Sequence, residues 1–228
     1  MKEMNEKTVY TEEKTAKEYE AYYKTKYRRA DALEKKLLEK MLSQFNDISQ
    51  VLEVGCGTGH FTKWMATLGL QCYGADVSKP MLQEAKNTWT QSCLVQCEAT
   101  QLPFAAQSVD IVAFITSLEF IRDPQTALSE ALRVAKKGLV IGLLNKFSLS
   151  TLTKQVKTTS GRSRHYQNAH FYAVKDIEQM LKQTQTKRKA MVWDTTVFPS
   201  VFGDLESSSL PFGAFLGIAV KVEHESNE

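Results

Sequence analysis

Near the start of the chain Leu33, Leu37, Leu38, Met41 and Leu42 recur at helical spacing on one stripe. The stretch 12–42 around them is charged and tyrosine-rich and contains neither Gly nor Pro, so it is predicted to be a helix that lays this stripe on the core. Tyr10, Tyr19, Tyr22, Tyr23 and Tyr27 come earlier, where few aliphatic residues could bury them; they either pack over the domain or close a binding cleft. From Val51 the pattern changes to short apolar runs alternating with amphipathic segments, the mark of βαβ units and a mainly parallel sheet.

Runs at 51–54, 70–75, 93–97, 109–116 and 139–144 read as five strands. The fourth is apolar almost throughout, as a strand covered on both faces must be. Phe61, Trp64, Met65 and Leu68 recur at i, i+3, i+4 and i+7 after the first strand, and Gly69 can end that helix. Ser78 with Pro80, and Asp123 with Pro124, are helix starts, because the polar side chain takes up free N–H groups and Pro costs nothing in the first turn. The second of these helices should run through Leu128, Ala131, Leu132 and Ala135 and stop at Gly138. Past Asn145 the alternation breaks for about twenty-five residues, too long for an ordinary connection, so an insertion that acts as lid or subdomain is expected. A helix near 174–182, strands near 190–197 and 213–222, a loop at 198–212 and a frayed tail at 223–228 follow. Right-handed crossovers would gather the strands' carboxyl ends on one edge, where ligands bind.

The 228-residue length and an apolar share of 43% suit one such domain with a sizeable core. Lys+Arg 29 against Asp+Glu 26 gives +3, without the concentrated positive field of a nucleic-acid binder. Arg162, Arg164, Lys187, Arg188 and Lys189 are scattered enough to belong to a solvated surface. Cys56, Cys72, Cys93 and Cys97 form no C-x-x-C pair and have no histidine cluster nearby, so zinc is not expected and no metal site is assigned. Three of them fall in segments read as buried strands, and all four read as free thiols of a reducing cytosol. No segment resembles a signal peptide or reaches the length of a membrane span, and the cytoplasm is the expected location.

The chemistry gathers where the first strand runs into Glu53-Val54-Gly55-Cys56-Gly57-Thr58-Gly59. Glycines at alternate positions permit positive φ and bring a ligand close to bare backbone, and the following helix offers unpaired N–H groups. Asp76 ends the second strand, where a carboxylate can accept both hydroxyls of a ribose. A dinucleotide fingerprint would need a small residue at His60. The acid at Glu53 would also repel a pyrophosphate, while it suits a ligand with an amino-acid end.

The runs LEVGCGTGHFTKWMATLG, GADVSKPML and CEATQLPFAAQSVDIVAFITSLEFI resemble the class I methyltransferases that use S-adenosylmethionine (SAM), in particular the methyltransferase-type-11 group that includes quinone-biosynthesis enzymes. The resemblance covers most of residues 45–144. It implies a doubly wound, Rossmann-like α/β fold: a seven-stranded, mainly parallel sheet with an antiparallel last strand and helices on both faces. It implies a single domain over 1–228, with an N-terminal helical cap at 1–45, a SAM-binding core at 46–144, an insertion or lid at 145–172 and the C-terminal half of the sheet at 173–228. By the same resemblance the segment of Gly55, Gly57 and Gly59 passes under the methionine part of SAM, Asp76 holds the ribose hydroxyls and Met81 packs near the adenine, with Cys56, Val77 and Thr116 also among the cofactor-binding residues. Glu98-Ala99 stands where the family has Asp-Ala against the adenine amine, and Thr116 lies at the end of the fourth strand.

The implied reaction is in-line displacement of the sulfonium methyl by a nucleophile, with S-adenosylhomocysteine (SAH) as product. The protein then supplies position and a dry site. A general base is needed only for a protonated acceptor of high pKa. His60, Glu119, His165 and His170 are the candidates, each with a plain alternative as helix-start, solvated-turn or surface residue. No Asp/Asn-Pro-Pro-Tyr follows the fourth strand and no Pro-Cys nucleophile is present, so adenine, amide and pyrimidine C5 acceptors are disfavoured. Tyr19, Tyr22, Tyr166 and Phe171 are expected to line a pocket for a small, partly apolar methyl acceptor. A protein or RNA methyltransferase is the alternative enzyme, and a non-catalytic SAM-binding scaffold the alternative class. A monomer or homodimer is expected.

Overall fold

A computed structural model describes residues 28–89, 93–148, 151, 169–184, 188–199 and 205–223. Its elements are α1 (Arg28–Leu42), β1 (Gln50–Val54), α2 (His60–Thr67), β2 (Gln71–Asp76), α3 (Lys79–Thr88), β3 (Cys93–Gln96) and β4 (Val109–Ile115). A 3-10 turn at Leu118–Phe120 precedes α4 (Pro124–Val134), β5 (Ala135–Leu144), α5 (Val174–Lys182), β6 (Arg188–Thr196), β7 (Ser207–Ser208) and β8 (Phe215–Val222). They form one sheet of order β3-β2-β1-β4-β5-β8-β6-β7. β1 to β5 pair in parallel, and β8 pairs antiparallel with both β5 and β6. The order reverses between β1 and β4, so a crevice opens at their carboxyl ends.

Alternation along the strands divides the core into two layers. On one face Val51, Ile111, Ala113, Val140 and Phe215 meet Leu37, Leu38 and Met41 of α1 and Phe61 and Met65 of α2. On the other, Leu52, Val112, Phe114, Ile141 and Ile218 meet Leu128 and Leu132 of α4 and Ile177 and Leu181 of α5. β4 is buried along its whole length, as its composition requires. The helix signals work as read: Ser78 Oγ accepts from Met81 N at 3.3 Å, Asp123 Oδ1 accepts from Thr126 N at 3.0 Å, and Gly69 takes φ +86 just past α2. No helix among the described residues is long and apolar enough to cross a membrane.

Three expectations change. The sheet has eight strands, because the segment expected to be a loop contributes the two-residue β7, held by Thr195 and Thr196 of β6. α4 ends at Val134, and β5 begins at once with Ala135. Gly138 is therefore a strand residue rather than a helix stop. A Cβ there would lie 1.9 Å from the Val220 carbonyl oxygen, so this glycine answers a close approach of β8. Cys93, read as buried, is exposed because β3 is the edge of the sheet. The helix expected over 12–42 is described from Arg28 onward, and most of the 223–228 tail lies outside the described residues.

Gly138→Ala should lower stability to urea by about 1–3 kcal/mol, the usual cost of overpacking. An unchanged unfolding midpoint would mean that β5 and β8 part freely at this point.

Candidate functional site

β1 delivers Glu53 and the glycine turn to the crevice. Gly55 N and Cys56 N both donate to the Ala75 carbonyl, at 2.7 and 3.0 Å, which fastens the turn to the end of β2. Gly57 N donates to Asp76 Oδ2 at 2.8 Å, and Ser78 N donates to Asp76 Oδ1 at 2.7 Å. One carboxylate thus fixes both the glycine turn and the entry to α3. Gly57 has φ +53 and nothing within 4 Å of where a Cβ would stand. A ligand lying over the turn meets bare backbone there.

Glu53 is 1% exposed, and its Oε2 accepts from the Thr62 hydroxyl on α2. Burial pushes its carboxyl up to about 8; the Asp76 charge adds to this, while the Thr62 hydrogen bonds act against it. Burial also raises Asp76, against the amide hydrogen bonds from Ser78 and Gly57. The Cys56 thiol is pushed well up by burial and then by the Asp76 and Glu53 charges, so it stays protonated. Two carboxyl groups held in partly desolvated surroundings favour a cationic ligand and disfavour an anionic one.

The remaining cofactor candidates lie at the same edge. Val77 is exposed, and Met81 is buried in the first turn of α3. Cys97 N donates to the Asp76 carbonyl at 3.1 Å, which brings the turn carrying Glu98 and Ala99 beside the end of β2. Thr116 takes φ +49 at the end of β4, its N–H donating to Gly142 O at 2.8 Å. Glu53, Gly55, Cys56, Gly57, Gly59, Asp76, Val77, Met81, Glu98, Ala99 and Thr116 thus all belong to the carboxyl ends of β1 to β4 or to the turns that leave them.

The candidate bases separate. His60 Nε2 sits 2.6 Å from Asp31 Oδ1, and Lys35 Nζ lies 2.7 Å from Asp31 Oδ2, so His60 joins α1 to the start of α2. Burial acts to raise Asp31, but the His60 and Lys35 hydrogen bonds outweigh it and leave its carboxyl below the usual value. Glu119 is 1% exposed, which excludes a solvated turn, and its Oε1 accepts from Leu144 N at 2.7 Å. His170 is exposed, and its N–H donates to the Glu119 carbonyl at 2.7 Å. Two candidates far apart in sequence therefore meet in space. Phe171 is buried, and its neighbour Tyr172 joins the core. Tyr19, Tyr22, His165 and Tyr166 lie outside the described residues.

Ser117, Thr62 and Asn145 belong to this edge without having been singled out. Ser117 Oγ donates to the Val54 carbonyl at 2.7 Å, and Asn145 Nδ2 donates to the carbonyls of Pro211 and Gly213 at 2.7 and 2.8 Å. Asn145, a polar residue directly after a buried strand, carried a usable signal. Thr62 on an amphipathic helix carried none.

Residues 52–141 match the model of a family described as methyltransferase domain. An uncharacterized protein of Methanocaldococcus jannaschii is 32% identical over 134 residues, 58% of this chain and 62% of that protein. A malonyl-[acyl-carrier protein] O-methyltransferase of Buchnera aphidicola is 33% identical over 144 residues, 62% of this chain and 56% of that one. The chain spans about three fifths of the length of these relatives. A solved SAM-dependent methyltransferase of Thermotoga maritima superposes with a TM-score of 0.74 at 23% identity, over 93% of this chain and 97% of that one, and so shares the fold.

Glu53 gives a pH test. In the folded protein its carboxyl holds a proton up to about 8, against an ordinary 4.5 when unfolded. Its contribution to stability is therefore whole below the unfolded value and is lost as pH rises through the folded one. Glu53→Gln removes this loss, so the ligand-free variant should gain stability relative to wild type between about pH 5 and pH 9. A stability difference that stays constant over that range in denaturant titrations would place the proton elsewhere.

Proposed function

We propose that this chain, a member of the methyltransferase domain family through its residues 52–141, is a SAM-dependent methyltransferase acting as a single domain on a small, partly apolar acceptor. The observation that carries the reading is the joint geometry of Asp76, Gly57 and Glu53. A carboxylate fixes a glycine turn whose central residue faces open space, and a buried acid stands at the foot of that turn.

These residues fit SAM, a cation with a ribose and an amino-acid end. Asp76 would hold the ribose hydroxyls beside Val77, and Glu53 would draw the ammonium toward the glycine turn. Met81 would pack on the adenine, and Glu98 with Ala99 would meet its edge. Bound there, SAM supplies a methyl group already activated by the sulfonium sulfur. The chain's own task is then to orient an acceptor and to exclude water.

A partly apolar acceptor is supported by Phe147 and Phe212, which are 62% and 40% exposed. Asn145 holds their two segments together, donating to Pro211 and Gly213 while its Oδ1 accepts from Phe147 N at 3.2 Å. Both rings stand on segments that meet at the end of β5, on the carboxyl edge of the sheet. The segment at 145–172 and the aromatics Tyr19, Tyr22, Tyr166 and Phe171 complete the acceptor side in this reading.

Asp76→Ala should weaken SAH binding by about 1–3 kcal/mol in calorimetry, and unchanged affinity would move the ribose elsewhere. Gly57→Val should abolish binding while the protein still folds, because a branched side chain would fill the space above the turn. Labelled SAM incubated with metabolite extracts should mark small molecules that mass spectrometry can identify. Label found only in protein or RNA would replace the small-molecule reading, and failure to bind either SAM or SAH would overturn the activity.

A further inference from the structure

Past β4 and β5, two strand ends are joined by a side chain rather than by the sheet. Glu119 turns inward from the Leu118–Phe120 turn and accepts from the amide of Leu144, the last residue of β5, at 2.7 Å. Its own carbonyl accepts from His170 N at 2.7 Å. On the other side Lys146 N donates to the Tyr172 carbonyl at 3.0 Å, and Asn145 forms a parallel bridge with Tyr172. Residues 170–172 are thus seated like a short strand between the continuations of β4 and β5. Asp176 anchors the exit of this segment, accepting from Ala173 N at 2.9 Å and pairing with Lys146 Nζ at 3.2 Å. The imidazole of His170 stays exposed, its ring centroid 4.8 Å from that of Tyr172.

The same turn also presses on the cofactor side. Ser117 Oγ donates to the carbonyl of Val54, and a Cβ added to Gly55 would lie 2.4 Å from Ser117 Cβ. The Ser117 side chain lies directly against the bare Gly55 backbone and is bonded to Val54, so a ligand that restricts the glycine turn also restricts Ser117. Glu119 follows two residues later.

We propose that Glu119 is a positioning residue for the acceptor side: it makes the slot that seats residues 170–172 and passes the state of the glycine turn, through Ser117, to the segment that presents His170 at the mouth of the site. The inference rests on the reading that the glycine turn binds SAM. Its carboxylate acts as a hydrogen-bond acceptor for the Leu144 amide, so an amide side chain can replace it while a methyl cannot.

The test is amide hydrogen exchange at Lys146 and His170, with and without SAH, in full-length wild type, Glu119→Ala and Glu119→Gln, with SAH affinity measured calorimetrically on the same samples. In wild type SAH should slow both amides by about tenfold, as a local opening becomes rarer. In Glu119→Ala the slowing should vanish while SAH affinity stays within about threefold of wild type. Glu119→Gln should restore it, which loss of packing alone would not produce. Ser117→Ala cuts the link to Val54 and should also diminish the slowing, so it decides between the outcomes if Glu119→Ala does not fold. SAH bound to wild type without slowing, or slowing that survives in Glu119→Ala, overturns this inference alone. Wild type that does not bind SAH overturns it together with the cofactor reading.

Discussion

A carboxyl group at the end of a central strand with 1% exposure is costly to keep, and much of the site's architecture is arranged around that cost. Glu53 lies in β1 between Gly74 of β2 and Ala113 of β4, deep in the parallel part of the sheet. Two responses are built in. The Thr62 hydroxyl reaches it from α2, which ties the helix after the glycine turn back onto the strand before it. The proton itself is the other, since burial and the charge of Asp76 hold it on the carboxyl up to about 8. A cation brought over the turn offers a further way to offset the same cost, and the preference of the site for positive charge follows from the burial that makes Glu53 expensive.

The sheet gives this pair a fixed frame. Packed layers cover both faces of β1 and β4, so the strands that carry the acid and the turn cannot shift separately. Asp76, at the end of β2, ties the glycine turn to the entry of α3 by accepting from one amide of each. His60 and Asp31 add a tie from α1, so the helix that covers the central strands is registered to the first residue after the glycine turn.

What the sequence made legible was local. Alternation of short apolar runs with amphipathic helices identified the sheet, and polar caps followed by Pro located two helix starts within a residue. The acid, the glycines and Asp76 could be read because all lie close to the strand ends that place them. What stayed hidden depended on neighbours far along the chain. Gly138 has the composition of a helix stop, and only the approach of β8 shows why a side chain is excluded there. Cys93 has the surroundings of a core residue, yet strand order puts it on an edge. Glu119 reads equally as a site residue or as the start of a solvated turn, because nothing nearby announces that the amides of Leu144 and His170 will bind it.

The same contrast separates the two halves of the site. The cofactor side is assembled from residues that follow one another through β1, β2 and β4, and the family match over 52–141 spans all of them. The acceptor side of the proposed function would draw on Glu119 within that span, but also on Leu144 to Phe147, on residues 170–172 and on Pro211 to Gly213, all beyond it. The 211–213 segment reaches this place because β8 returns antiparallel beside β5 and brings Gly213 and Ala214 to Asn145. A cofactor common to many enzymes can be held by a short, recurrent motif. An acceptor peculiar to one enzyme must be shaped by contacts between distant segments, which vary without disturbing the strands beneath them. In the proposed function, the exposed Phe147 and Phe212 and the seated His170 are the residues through which a choice of acceptor would be set.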